Sequence, residues 1–246
     1  MKAVVKKEMI IDIHTHVLPE VDDGAKDLQM SLEMLVESAK AGVKKVIATP
    51  HYYPWKENVS AEIVRQACEF MQEKLFADYG VEMEIYPGHE IFYSTDVLKD
   101  LKNGKVLTLA NSRYVLLEFD LTTSFSVIYH AVREFKDSGY IPIIAHVERY
   151  DCLRSNQNIE KVKEGGALLQ MNVRAVQGTI FSQTRRWSRR CLKNEKIDFL
   201  GSDMHNLETR PPYRMLNLQL VQSATSQPYF EKLLCSNCER ILSDTK

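Results

Sequence analysis

The sequence predicts an α/β barrel built on parallel strands, and three observations carry that prediction. Short, continuously apolar, β-branched runs alternate with longer amphipathic stretches, the pattern of repeated βα units around a parallel sheet. The 246 residues match the usual span of one such barrel. Histidines and carboxylates recur just past the apolar runs, at what would be one open face of the barrel.

Seven strands are expected: Ile10 to Ile13, Lys45 to Thr49, Glu82 to Tyr86, Tyr114 to Phe119, Ile141 to Ala145, Leu168 to Met171 and Asp198 to Gly201. Their hydrophobicity is continuous rather than alternating, which calls for burial on both faces. Helices are expected over Asp27 to Ala41, Ser60 to Tyr79, Thr95 to Lys102, Ser126 to Ser138, Asn156 to Glu164, Gln183 to Asn194 and Arg214 to Gln222. Ser60 supplies a start signal, and Gly42, Gly80 and Gly139 lie just past helix ends. The tail from Ser223 reads as a final helix packed outside the barrel. No repeat, low-complexity tract or linker interrupts the chain, so residues 1–246 are expected to form a single domain.

Composition narrows the classes. An apolar fraction of 44% with 26% charged residues supports a sizeable core and excludes disordered and collagen-like chains. The formal net charge of −1, with both signs interspersed, lacks the electrostatic footprint of a nucleic-acid binder. Five scattered cysteines, Cys68, Cys152, Cys191, Cys235 and Cys238, fit a reducing compartment. None has an arginine six residues on, which argues against a cysteine-based phosphatase loop, and Cys235 and Cys238 lack the second pair a zinc site needs. Met1 to Met9 carries lysines, but the apolar stretch that follows breaks at Asp12 and His14, short of a signal-peptide core. No run approaches the ~20 apolar residues of a membrane span. A cytoplasmic protein without membrane insertion is expected.

The chemistry follows the strands. His14-Thr15-His16 comes after the first, His51 after the second, Glu90 after the third, Glu118 ends the fourth, His146 follows the fifth, and Asp203 with His205 follows the seventh. Two histidines flanking one residue share a side of an extended segment and can grip one ion, although alone such a pair is as readily a polar strand end. Asp203-Met204-His205 repeats the arrangement, and five of the seven histidines fall in the set, a concentration core packing does not explain. Asp22-Asp23-Gly24 is a common turn that accounts for one carboxylate; Asp23 is the better candidate to reach the cluster. Glu118, in Val-Leu-Leu-Glu-Phe-Asp, needs a cation or strong donor: a metal ion, or alternatively Arg149.

The candidate ligands are therefore His14, His16, Asp23, His51, Glu90, Glu118, His146, Asp203 and His205. Mixed imidazole and carboxylate donors suit manganese, iron or zinc better than calcium or magnesium. Only four of the nine are acidic, so of a cluster of two or three divalent ions they would neutralise two, and a third would leave a surplus that favours an anionic substrate such as a phosphate ester. Arg149, three residues past His146, and Arg210, five past His205, could lean over the mouth and hold phosphate oxygens in a bidentate fork. His89 and His130 have structural readings and are left out.

At these residues the sequence resembles the polymerase and histidinol phosphatase superfamily, and within it the bacterial protein-tyrosine phosphatases that regulate capsular and exopolysaccharide synthesis. The segments are Ile-Asp-Ile-His-Thr-His-Val-Leu-Pro-Glu-Val-Asp-Asp-Gly-Ala-Lys, Ala-Thr-Pro-His, Pro-Gly-His-Glu, Leu-Leu-Glu-Phe, Ile-Ala-His-Val-Glu-Arg-Tyr, and Gly-Ser-Asp-Met-His-Asn with Arg-Pro-Pro, spanning residues 10 to 212. The resemblance implies a distorted (β/α)7, TIM-like barrel and a multinuclear centre that favours Mn2+, with Fe, Zn or Mg as other occupants. Its implied substrate is phosphotyrosine on a bacterial tyrosine kinase that controls polysaccharide export, in a tyrosine-rich C-terminal tail. Arg149 and Arg210 match the family's phosphate-binding arginines. One departure lies at the rim, where Tyr52-Tyr53 follows His51 in place of the polar residues relatives often carry.

The expected chemistry is in-line attack of water on phosphorus, the ions stabilising the equatorial oxygens. A phenolate, with a parent pKa of about 10, leaves easily, so little general acid is needed; His205, Asp203 or a metal-bound water could supply a proton. Arg185, Arg186, Arg189, Arg190 and Lys193 give the helix from Gln183 a basic face, a solvated surface in the first instance and otherwise an attractor for an acidic kinase tail. Two rivals stand beside this reading: a phosphatase of small esters such as histidinol phosphate, and a non-catalytic module that binds a phosphorylated partner. An oligomer is compatible with all three.

Overall fold

The computed structural model describes residues 9–244. Met1 to Glu8, on which the N-terminal reading partly rests, lie outside the described residues. The strands are β1 (Ile10–Thr15), β2 (Val43–Ala48), β3 (His51–Tyr52), β4 (Glu84–Pro87), β5 (Glu90–Phe92), β6 (Tyr114–Glu118), β7 (Ile141–Ile144), β8 (Leu168–Asn172) and β9 (Phe199–Gly201), and their pairings are parallel.

Nine strands replace the seven expected because two staves are broken. Thr49 and Pro50 separate β2 from β3, and Gly88 and His89 separate β4 from β5. Proline has no N–H to give a ladder. At Gly88 the backbone lies so close to its neighbours that a Cβ would come within 3.0 Å of Ile47 and 3.1 Å of Leu109. The breaks divide the curled sheet into a ladder β1-β2-β4 and a longer ladder β3-β5-β6-β7-β8-β9. The first and last staves then meet at the carboxyl end. Thr15 bridges Met204, the His16 N–H donates to the Met204 carbonyl at 3.0 Å, and the Asp203 N–H donates to the His14 carbonyl at 2.9 Å. The result is the distorted, TIM-like barrel expected.

The helices α1 (Leu28–Lys40), α2 (Ala61–Tyr79), α3 (Val97–Lys102), α4 (Phe125–Asp137), α5 (Asn156–Gly165), α6 (Gln183–Lys193) and α7 (Met215–Gln222) fall within two residues of the expected bounds. For α2 the signals act as read: Ser60 Oγ accepts from the Ile63 N–H at 3.3 Å, and Gly80 ends the helix at φ 63°. Leu35 of α1, Val64 of α2, Val132 of α4 and Leu192 of α6 pack in the outer core against the strands. Inside the barrel Ile11, Ile13, Leu116, Ile143, Ala145 and Phe199 form a second cluster. Burying each large aliphatic there stabilises the fold by roughly 1.5–3 kcal/mol.

The tail departs from expectation. After α8 (Gln227–Glu231) and a π-helical turn, Lys232–Ser236, comes α9 (Asn237–Leu242), whose Cys238 and Ile241 join the inner cluster. The tail therefore stops the amino end of the barrel instead of lying outside it. Asn237 donates to the carbonyl of Asp198 at the start of β9, and Arg113 before β6 pairs with Asp244 at 2.6 Å. An amphipathic pattern states that one face is buried, not which surface buries it. Among the described residues no helix is long and apolar enough to cross a membrane.

Candidate metal centre

The candidate ligands gather at the carboxyl mouth: His14 and His16 about the end of β1, Asp23 in the loop that follows, His51 and Glu90 opening the short β3 and β5, Glu118 ending β6, and His146, Asp203 and His205 past β7 and β9. The chain bends sharply at two of them. His146 and Asp203 follow β7 and β9 with φ of 30° and 53°, a left-handed region that costs about 1–3 kcal/mol for non-glycine residues. These bends turn both side chains inward.

The donors converge in three overlapping groups, whose members lie within 4.8 Å of one another: His16, Asp23, His51 and His205; His14, His16, Glu90 and Asp203; and His51, Glu90 and Glu118. In the second, His14 Nε2 and His16 Nε2 are 3.2 Å apart, each 3.1 Å from Glu90 Oε2 and 3.6 Å from Asp203 Oδ1. In the first, Asp23 Oδ1 lies 3.3 Å from His51 Nε2 and 3.4 Å from His205 Nε2. In the third, His51 Nδ1 faces Glu90 at 3.2 Å and Glu118 at 3.4 Å. His146 closes that side, 2.7 Å from Glu90 Oε1 and 3.5 Å from Glu118 Oε1. Glu118 thus faces imidazoles, and no pair with Arg149 forms among the described residues.

The donor set fits cations on a test of satisfaction. His51 Nδ1, Glu90 Oε2, Glu118 Oε2 and His205 Nε2 are buried and have no hydrogen-bond partner, an expensive arrangement unless something else binds them. All four point into the same space.

Electrostatics agree. Burial opposes charge on His51, yet Glu90 and Asp23 outweigh it and raise its pKa to about 11. His146 rises to about 10 despite burial, chiefly through Glu90, and His16 to about 9, chiefly through Asp22. Burial likewise opposes ionisation of Asp22, and His16 nonetheless holds its carboxyl at about 2. Against their own burial, Glu90 is held far down by His14 and His146, and Asp203 by His14 and Arg210. The facing His205 and His51 rings lower Asp23. His205 moves the other way, because burial and the nearby His16 both disfavour its charge. A field that draws protons onto imidazoles this strongly draws divalent cations too.

Several residues outside the expected set shape the centre. Asp22 is no mere turn residue: its Oδ2 accepts from His16 Nδ1 at 2.6 Å and from the His51 N–H at 3.0 Å. Gly24 makes this loop possible, since a Cβ there would overlap the His16 carbonyl and come 2.6 Å from its Cβ. Gln170 Oε1 on β8 faces His14 Nδ1 at 3.0 Å and accepts from the His146 N–H at 2.7 Å. Asn172 donates to Asp203 Oδ2 at 2.7 Å, and Asp12 ties β1 to β9 by accepting from the Ser202 N–H at 3.0 Å. His89 stays outside, with Nδ1 accepting from the Leu107 N–H at 2.9 Å, and His130 is exposed on α4.

Arg210 donates to Asp203 Oδ1 at 2.5 Å, and Arg149 is exposed with no ion pair among the described residues. Both line a cavity of about 670 Å³ that includes Asp203. On the other side of the cluster His51 meets Tyr53 at a ring distance of 5.1 Å, and Tyr53, Trp55 and Phe92 pack into an aromatic rim, with Trp55 59% exposed.

A parallel barrel that gathers imidazoles and carboxylates at its carboxyl mouth, with its first and last staves both contributing ligand pairs, is consistent with the polymerase and histidinol phosphatase class. Within that class the chain belongs to the CpsB/CapC family of capsular polysaccharide synthesis, the match running over residues 10–243. It is 31% identical to the tyrosine-protein phosphatase CpsB of Streptococcus pneumoniae, over 96% of this chain and 99% of that protein. Identity to the tyrosine-protein phosphatase YwqE of Bacillus subtilis is 32%, over 95% and 91%. A crystal structure from work on YwqE and CpsB, described as unique metal-dependent tyrosine phosphatases, matches with a TM-score of 0.84 at 29% identity and covers 96% of both chains. A phosphotriesterase homology protein from Escherichia coli, 12% identical at a TM-score of 0.54, shares the fold alone.

Proposed function

We propose that the chain is a metal-dependent protein-tyrosine phosphatase of capsular polysaccharide synthesis, acting as a single barrel domain over residues 1–246. The carrying observation is the continuity of two sites through one carboxylate: Asp203 faces His14 and His16 on one side and receives Arg210 on the other. Cations held by His14, His16, Asp23, His51, Glu90, Glu118, His146, Asp203 and His205 would polarise the phosphoryl group and activate water. Arg210 and Arg149 hold the phosphate oxygens, and the forked guanidinium of Arg210 is fixed in place by Asp203. Asp22 and Gln170 orient His16 and His14. Asp203, held ionised by His14 and Arg210, could take the proton of the attacking water and pass it to the leaving oxygen, with His205 as the other carrier. The aromatic rim of Tyr53, Trp55 and Phe92 suits an aryl ester, and this favours phosphotyrosine over a small alkyl ester such as histidinol phosphate.

The finer assignments rest on the same footing. Two or three ions, Mn2+ foremost, suit the mixed donors and the three overlapping groups. The partner is a phosphorylated bacterial tyrosine kinase, and the five free cysteines suit action in the cytoplasm. Manganese-loaded protein should hydrolyse phosphotyrosyl peptides and aryl phosphates far faster than histidinol phosphate. Preference for histidinol phosphate would instead support the small-ester rival, and a metal-replete protein that binds phosphopeptide without turning it over would support the binding module.

A further inference from the structure

The cavity beside Asp203 holds more positive charge than one phosphate needs. Besides Arg149 and Arg210 it is lined by Arg154 and Arg174, against the carboxylates of Glu148 and Asp203. Arg174 follows β8 and uses Nη1 to donate to the Thr209 carbonyl at 2.7 Å, next to Arg210 in the chain. Its Nε is buried without a hydrogen-bond partner, and it makes no ion pair among the described residues. Arg154 donates through Nη2 to the Glu148 carbonyl at 3.1 Å and to Thr184 at 3.2 Å, while its Nη1 is also buried and unpartnered. Its ion pair, with Asp151, involves a carboxylate that is 90% exposed and therefore weakly held.

Neither lining carboxylate answers these guanidinium groups. Asp203 is committed to Arg210 and Asn172, and Glu148 is buried beside the Asn172 N–H. Burial works most strongly against the charge of Arg174, Arg210 and Arg149 add to it, and Asp203 and Glu148 offset it only in part. Two half-buried guanidinium groups that lack a buried counter-charge line the cavity of the candidate phosphate site, and that excess of cationic lining can receive a further anion.

We propose that Arg174, together with Arg154, forms a second anion subsite that reads a carboxylate or phosphoryl group carried by the substrate beside its phosphotyrosine. This rests on the phosphatase reading of the neighbouring centre. The subsite makes the enzyme selective for phosphotyrosines in acidic or multiply phosphorylated sequence, because only those bring a counter-charge to Arg174.

The test uses full-length, manganese-loaded protein and three phosphotyrosyl peptides that differ at one flanking position: neutral, glutamate, or a second phosphotyrosine. Turnover gives kcat/KM, and matching phosphonate peptides, which cannot be hydrolysed, give binding by fluorescence anisotropy. A charged flank should improve kcat/KM and binding about tenfold over the neutral peptide, equivalent to about 1.4 kcal/mol. Arg174→Met should bring that ratio close to one, and Arg174→Lys should keep part of it. The glutamate and phosphotyrosine arms tell which anion the subsite takes. A ratio of one in the unmodified protein overturns the proposal. So does a ratio that survives Arg174→Met, including the case in which all peptides weaken together because the Thr209 loop has moved. Charge-selective phosphonate binding without any turnover would keep the subsite and remove the phosphatase reading.

Discussion

His16 and Asp22 meet at 2.6 Å, with Nδ1 of the ring donating to the carboxylate while Nε2 faces Glu90 and Asp203. The carboxylate fixes the tautomer and aims the lone pair of Nε2 at the centre, the support that histidine ligands usually receive. Asp22→Asn should therefore lower manganese affinity about 10–100-fold without unfolding the protein. Equilibrium manganese titration checks this, and equal affinity in the variant would contradict the orienting role.

Metal binding should also stabilise the fold. At a free manganese concentration of a hundred times the dissociation constant, one site adds about 2.7 kcal/mol, which for a chain of this size raises Tm by roughly 5–10 °C. Thermal melts with manganese and with chelator measure the difference. Superimposable melts would mean the groups hold no ion.

The raised imidazole values set the pH dependence. His16, His51 and His146, at about 9, 11 and 10, hold protons at neutral pH when no ion is present. Ions must displace those protons, so apparent manganese affinity should climb with pH, by about tenfold per unit for each proton released. For the metal-free protein the sign is opposite. Its imidazole–carboxylate pairs contribute fully below the ordinary histidine value and are lost as pH rises through about 9 to 11. Titrations and melts across that range test both, and flat manganese affinity would refute the first.

Arg149 and Arg210 should separate in their effects. Removing one donor to a developing anionic centre costs about a hundredfold or more in rate, so Arg149→Met and Arg210→Met should each lower kcat/KM for an aryl phosphate on that scale. Arg210→Met should also change manganese content, because it strips Asp203 of its closest partner. The Arg149 side chain pairs with no ligand among the described residues and only its backbone N–H meets the His146 carbonyl, so its variant should load normally by elemental analysis.

Ile241→Ala tests the stopper at the barrel's amino end. It removes a fully buried side chain from the inner cluster, and such truncations cost about 2–5 kcal/mol. Denaturant unfolding measures the loss. A surface-like cost under about 0.5 kcal/mol would place the tail outside the core.

The sequence made the ligand set readable because a parallel barrel opens all its strands on one face, so a histidine or acid after each apolar run is informative wherever it falls. Asp22 does accept from the Gly24 N–H as the turn reading requires, but its second role escaped for a local reason: Asp-Asp-Gly is sufficient for a turn, and nothing in three residues tells that both carboxylates face the centre. Gln170 and Asn172 carry no ligand signature, and they lie on the one strand after which no chemistry was expected. The stave breaks had a faint signal in Pro50 and Gly88. The destination of the tail had none, because Cys238 and Ile241 show only that the helix has an apolar side. Arg154 and Arg174 look like surface arginines until the cavity brings them beside Arg210.

The seam between the first and last staves bears on when the centre can come into being. His14 and His16 precede Asp203 and His205 by some 190 residues, and the two pairs are drawn together by the Thr15–Met204 bridge. A chain whose last stave has not yet closed on its first has no complete pocket to fill. Full ion loading therefore waits on that closure, and an ion met earlier can be held by only part of the donor set.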